Sequence, residues 1–77
     1  MAKKMYTAVA ANEHSISIYD VESGAFERSI FVTSGQIIGQ PIVSANTITV
    51  TYNEGGDNWM SVFDSSSFSL IRKQPLA

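Results

Sequence analysis

The chain contains no cysteine. Disulfides and thiolate metal sites are therefore excluded, and these are two usual supports of a small domain. Histidine occurs once, at His14. A histidine-rich zinc site cannot be built within one chain, and neither a metal nor a cofactor is expected. Cations are scarce: Lys3, Lys4, Arg28, Arg72 and Lys73 stand against seven acidic residues, for a net charge of −2. Nucleic-acid binding normally shows a basic surplus, so no nucleic-acid partner is expected. No apolar run approaches the ~20 residues of a membrane-spanning helix. The start, Met1-Ala2-Lys3-Lys4, has no apolar segment behind it of the kind a secretory leader carries. Leucine appears only as Leu70 and Leu76, and no window places apolar residues at three-and-four spacing among helix formers. Little or no helix is expected.

At 77 residues the chain is a single β domain spanning residues 1–77. A chain this short buries a smaller share of its surface than a long one. With disulfides and metals gone, oligomerisation and a well-packed β core are the supports left. Charged residues are only 16% of the chain, and serine and threonine supply much of the polar surface. That texture suits a chain that buries much of itself in an assembly.

What is present is β-forming sequence. The stretch from Ile42 to Tyr52 reads as strand, turn, strand. Ile48, Val50 and Tyr52 fall on one face, and Thr47, Thr49 and Thr51 on the other. Ala45-Asn46 supplies the turn, asparagine tolerating the positive φ of tight turns, and Pro41 marks the strand start. Further strands are expected over Met5 to Ala11, Ser15 to Tyr19, Ala25 to Val32, Trp59 to Asp64 and Phe68 to Lys73. Gln36 to Gln40 reads as a connector, Asn53 to Asn58 as a loose polar loop, and Pro75 as the end of regular pairing.

The two halves align. Thr7-Ala8-Val9-Ala10-Ala11-Asn12-Glu13 matches Ile48-Thr49-Val50-Thr51-Tyr52-Asn53-Glu54, 41 residues on. Ile16-Ser17-Ile18-Tyr19-Asp20 matches Met60-Ser61-Val62-Phe63-Asp64, and Phe26-Glu27-Arg28 matches Leu70-Ile71-Arg72, both 44 residues on. The first repeat covers about 5–32, the second about 41–73, and the second carries a three-residue insertion at its polar loop. Forty-odd residues holding three or four short strands are the size of a β-propeller blade. The second copy, with its Pro41-Ile42-Val43-Ser44-Ala45-Asn46 opening and its Val62-Phe63-Asp64, resembles a propeller blade of the WD40 or quinoprotein type. Ile16-Ser17-Ile18-Tyr19-Asp20-Val21-Glu22-Ser23-Gly24 is similar to the Tyr-Asp-to-Gly segment of such blades. The Trp-Asp dipeptide, the Gly-His pair and the quinoprotein cofactor residues are absent.

That resemblance implies about seven short antiparallel strands arranged as two propeller-like blades. The first blade is incomplete, because the counterpart of Pro41 to Ser44 would fall at or before Met1 to Lys3. Two blades cannot close a ring and leave strand edges and apolar faces open. Closure is expected by homo-oligomerisation, with a trimer of two-blade chains favoured. The alternative is a small β-sandwich or barrel.

No residue set nominates a reaction, and the protein is expected not to be an enzyme. His14 reads as a solvent-exposed turn residue. Asp20 and Asp64 recur at the repeat spacing, which favours side chains that cap the following turns over an acid–base pair. Glu54-Gly55-Gly56-Asp57-Asn58 matches neither a calcium loop nor a phosphate cradle. It is nevertheless the insertion that breaks the repeat. Glu54, Asp57, Asn58 and the adjoining Trp59 are the candidate partner or ligand contacts. Trp59, Tyr6, Tyr19 and Tyr52 suit either stacking on a ligand or a subunit seam. Lys3-Lys4 and Arg72-Lys73 read as solvated ends.

The expected function is that of a structural or adaptor protein that homo-oligomerises and docks to a larger protein assembly. In length and in β-rich, Ser/Thr-rich texture the chain also resembles small tailed-phage virion proteins, Met5-Tyr6-Thr7-Ala8-Val9 and Ser15 to Asp20 carrying that likeness. This implies a virion location if the chain is phage-derived, and the cytoplasm otherwise. The alternative is an oligomeric propeller lectin that stacks carbohydrate on its aromatic rings.

Overall fold

The computed structural model of the chain describes residues 4–76, and its regular elements are all β-strands. They are β1 (Tyr6–Ala10), β2 (Ser15–Asp20), β3 (Phe26–Phe31), β4 (Gln36–Ile37), β5 (Ile42–Val43), β6 (Thr47–Glu54), β7 (Asp57–Asp64) and β8 (Leu70–Pro75). The protein is all-β, and every pairing is antiparallel. Lys3 and the segment before it lie outside the described residues, as therefore does any counterpart there of Pro41 to Ser44.

Two sheets form. The first is the meander β1-β2-β3. In the second, β6 pairs with β7 and β7 with β8, while β4 and β5 lie end to end along the other edge of β6. Ile42 and Val43 pair with Thr49 and Ile48, whereas Gln36 and Ile37 pair with Asn53 and Tyr52. The alternation read in β6 is present: Ile48, Val50 and Tyr52 are fully buried and the threonines between them half-buried.

Several local expectations need correction. Gln36 to Gln40 is not simply a connector, since Gln36 and Ile37 form β4 and Ile38 N–H donates to the Thr51 carbonyl at 2.9 Å. Pro41, which has no N–H, interrupts what would otherwise be one long edge strand. Asn53 to Asn58 is not a loose loop. Asn53 pairs with Asn58 and Glu54 with Asp57, leaving only Gly55 and Gly56, at φ 64° and 86°, to turn the chain. Two successive positive-φ residues suit the twist of a two-residue hairpin turn, and glycine adopts them without steric cost. The turn at Ala45-Asn46 uses no positive φ; among described non-glycine residues only Phe68 does, at 63°. It is closed by Ser44 N–H to the Thr47 carbonyl and by the Ser44 and Thr47 hydroxyls, each at 2.8 Å. Pairing also continues through Pro75, opposite Trp59, and Leu76 N–H donates to the Asn58 carbonyl at 2.9 Å. Proline is tolerated there because β8 is an edge strand.

One local geometry occurs in both sheets. Thr7, Ala8, Val9 and Ala10 pair with Tyr19, Ile18, Ser17 and Ile16, as Ile48, Thr49, Val50 and Thr51 pair with Phe63, Val62, Ser61 and Met60. A register shift falls between Ile18 and Tyr19 in one sheet and between Val62 and Phe63 in the other. Such a shift is a β-bulge, which leaves one residue unpaired and bends the strand; the unpaired residues here are Glu27 and Ile71. The turns before these outer strands also agree. Asp20 Oδ1 accepts from Glu22 and Ser23 N–H at 2.9 and 3.1 Å, and Asp64 Oδ1 from Ser66 and Ser67 N–H at 2.8 and 2.9 Å.

The sheets meet in one core. Ala8, Ile16 and Ile18 of the first pack with Ile48, Val50 and Phe63 of the second, and Phe68 joins them from its turn. Burying each Val, Ile or Phe side chain contributes about 1.5–3 kcal/mol. Tyr6 sits edge-on to Phe68 with ring centroids 5.0 Å apart, and the Arg28 guanidinium lies 4.7 Å from the Phe68 centroid. Backbone groups tie the seam as well: Ile37 N–H donates to the Glu13 carbonyl at 2.7 Å, and Ala10 N–H to Gln40 Oε1 at 3.0 Å.

Candidate functional site

The four residues singled out at the polar hairpin converge at the far end of β6 and β7. Glu54 and Asp57 flank the glycine turn, with Asn58 and Trp59 next along β7. Glu54 is the organising group. The Thr33 hydroxyl donates to Oε1 at 2.7 Å and the Lys73 ammonium to Oε2 at 3.1 Å. Together they hold its carboxyl below the usual value, the Thr33 contribution being the larger. Glu54 in turn raises the Lys73 ammonium.

Lys73 is exposed, as expected of a solvated end, but its ammonium is also engaged within the chain. Its charge lies 4.9 Å from the Trp59 centroid and 5.9 Å from that of Tyr52. A cation over an aromatic face is attracted by the ring quadrupole. The strand register explains the placement: Lys73 pairs with Ser61, two residues from Trp59 on the same face of β7. Its long stem then reaches over the ring to Glu54 on β6. Trp59 Nε1–H donates to the Glu54 carbonyl at 3.3 Å, so both the indole edge and one indole face are engaged within the chain. Asn58 Oδ1 accepts from Asn53 Nδ2 at 3.2 Å. Asp57 is exposed beside the turn.

Sequence reasoning missed the other half of this cluster. Thr33 is 1% exposed, and its hydroxyl both donates to Glu54 and accepts Gly35 N–H at 2.9 Å. A Cβ on Gly35 would collide with the Asn53 carbonyl oxygen and lie 2.9 Å from Glu54 Cα. Glycine is thus required for the Thr33-to-Gly35 segment to lie against the end of β6. Nothing local in Thr33-Ser34-Gly35 announces that packing, because Thr33 and its partner Glu54 are 21 residues apart.

The three tyrosines serve the interior or pair with a phenylalanine. Tyr52 is fully buried, with its hydroxyl 2.8 Å from Ser61 Oγ. Tyr6 packs on Phe68, and Tyr19 lies edge-on to Phe26 at 5.7 Å. His14 is exposed in its turn, where its N–H donates to Asn12 Oδ1 at 2.8 Å. Asp20 and Asp64 cap turns, with their carboxyls held low chiefly by Ser23 N–H and by Ser67 N–H. No cluster of three or more His, Asp or Glu able to hold a metal occurs among the described residues.

A separate open cavity of about 650 Å³ lies between the start of β1 and the turn joining β5 to β6. Met5, Tyr6 and Val43 supply its apolar wall, and Ser44, Asn46 and Ser65 its polar groups. No described helix is long and apolar enough to cross a membrane. Two broad surfaces remain. The outward face of the first sheet carries Val9, Phe26 and Phe31 at 43%, 58% and 67% exposure, and Ile42, on the outward face of the second, is 67% exposed. Comparison of the chain with protein-family models, with curated proteins and with solved structures gave no match.

Proposed function

We propose that the protein is a structural or adaptor module that assembles with copies of itself and docks onto a larger protein assembly. The observation that supports this reading is the exposed apolar face of the first sheet. Phe26 and Phe31, on the edge strand β3, and Val9, on the opposite edge strand β1, are exposed on this face, with Ser17 and Ser29 in the row between them. Three large apolar side chains exposed on one sheet face of so small a chain suit an interaction site. The polar hairpin end fits the same reading. Glu54, Asn58 and Trp59 are engaged with neighbouring groups of the same chain rather than arranged around a substrate-sized space.

Three copies of a two-sheet chain, closing as a propeller-like ring, are the arrangement proposed. A phage particle is the assembly proposed for docking, on the strength of the chain's length and its β-rich, hydroxyl-rich texture. Native mass spectrometry and sedimentation velocity test self-assembly. The expected result is a discrete oligomer at three times the 8.4 kDa chain mass. A well-folded monomer that persists at micromolar concentration overturns the ring. Docking is tested by protein inventory of purified particles from the source, where a fixed copy number is expected. Recovery only in the unassembled soluble fraction counts against it.

A further inference from the structure

The seam inside the chain joins two different faces of the repeated sheet. On the first sheet the inward face carries buried Ala8, Ile16 and Ile18 with half-buried Ala10, whose counterparts in the second sheet by strand register are Thr49, Met60, Val62 and Thr51. On the second sheet the buried positions include Ile48, Val50 and Phe63, whose counterparts in the first are Thr7, Val9 and Tyr19. The sheets therefore stack front to back. Each outward face is the repeat equivalent of a face that the seam already uses.

We propose that a second copy of this chain occupies these outward faces by repeating the internal stacking step. The outward face of the first sheet, with Val9, Tyr19, Phe26 and Phe31, docks on the outward face of the next copy's second sheet, with Ile42, Thr49, Thr51 and Met60. This rests on the self-assembly reading above and assigns its interface. The contact is heterologous: each copy uses one face toward one neighbour and a different face toward the other.

Chemistry agrees with the geometry. On the first surface Val9, Phe26 and Phe31 stand exposed around a row of Ser17 and Ser29, and Tyr19 already braces Phe26 edge-on. The second is a half-buried threonine ladder with Met60 and buried Val62 beside it, exposed Ile42 at one margin and Arg72 of β8 at the other. Gly24, the counterpart of the seam residue Phe68, has open space where a side chain would stand. The second seam therefore lacks the ring that the internal seam inserts, and carries hydroxyls where the internal seam carries alanine. The contact between copies is accordingly weaker than the seam within one.

Two variants decide the matter, each checked for folding by circular dichroism. One carries Val9→Lys and Phe31→Lys, the other Ile42→Lys and Thr49→Lys. Each alone is expected to lose the oligomer at a concentration where the wild type is assembled. Mixed in equal amounts, they are expected to give a dimer of one copy each, at twice the chain mass, and nothing larger. Should a double variant fail to fold, the single changes Phe31→Lys and Ile42→Lys, both at residues 67% exposed, replace it. A wild-type oligomer that survives both variants overturns the face assignment and leaves self-assembly standing. Two variants that both dissociate but do not recombine overturn the heterologous contact. A wild type that is monomeric removes the self-assembly reading, and this inference with it.

Discussion

Phe68 and Gly24 hold the same place in the two outer turns, with φ of 63° and 74°. Their N–H groups donate to the carbonyls of Asp64 and Asp20 at 2.9 and 2.8 Å. Glycine reaches that conformation freely, whereas phenylalanine is strained in it. The strain is offset because the ring fills the seam against Tyr6 and Arg28.

Substitution at Phe68 separates strain from packing. Phe68→Ala loses the buried ring and keeps the strained backbone, so unfolding free energy falls by about 3–5 kcal/mol. Phe68→Gly loses the same ring but relieves a strain of about 1–3 kcal/mol. It is therefore expected to be the more stable of the two variants in urea titration. Equal stability, or alanine above glycine, contradicts a strained turn.

Acid lability is expected from Asp20, Glu54 and Asp64, whose carboxyls all titrate lower in the folded chain than their ordinary values. A depressed carboxylate stabilises the fold wherever it is ionised in both states. That contribution is complete above the unfolded value and is lost as pH falls through the folded one. For Asp64 the window runs from 3.8 down to about 2. Denaturant midpoints should hold from neutral pH to about 5 and decline below it. Asp64→Asn keeps an acceptor for the Ser66 and Ser67 N–H groups, and is expected to flatten the decline. An unchanged slope would clear Asp64 of the effect.

Tyr52 and Ser61 form a buried hydroxyl pair at 2.8 Å. Tyr52→Phe alone strands the serine hydroxyl and is expected to cost about 1–3 kcal/mol. The double change Tyr52→Phe with Ser61→Ala removes both polar groups, and its cost should fall below the sum of the single changes. Strict additivity in thermal or urea unfolding would show that the pair is not coupled.

Gly35→Ala tests the packing of the Thr33 segment on β6. The added methyl meets backbone, which cannot swing aside as a side chain does. The loss is expected at about 1–3 kcal/mol or more, with increased acrylamide quenching of Trp59, the only tryptophan, as the hairpin end loosens. Wild-type stability in Gly35→Ala would mean that the segment stands off the strand.

Much of this fold was legible because period two survives wherever one face of a strand is buried. Ile48, Val50 and Tyr52 announce β6, and Ile16 and Ile18 announce β2. Asp20 and Asp64 announced their turns because an Asx cap is a local interaction. The inward face of β1 was not legible. Alanines 8 and 10 turn in while the more apolar Val9 turns out, since packing across the seam, rather than hydrophobicity along the strand, decides the matter. In the candidate site, Glu54, Asp57, Asn58 and Trp59 do share one hairpin end. Their ties to Thr33 and Lys73 span 21 and 19 residues of sequence and leave no local pattern. The two glycines that tighten the hairpin were visible, but as a sign of looseness, because residue type alone does not show whether flanking residues pair.

The strand order also sets an expected order of folding. Every partner in the first sheet is the next strand in sequence, and β6, β7 and β8 likewise pair in succession. Such local loops close at small entropic cost and early. The seam joins residues such as Ile18 and Val50 across a much longer loop, and should close late. A conservative truncation in the seam, Ile18→Val, is then expected to speed unfolding while leaving the folding rate nearly unchanged. A slowed folding limb would place the seam in the nucleus instead. Until it closes, each nascent sheet exposes the very face that another chain's sheet accepts, so a concentrated refolding mixture is where exchange of sheets between chains should appear.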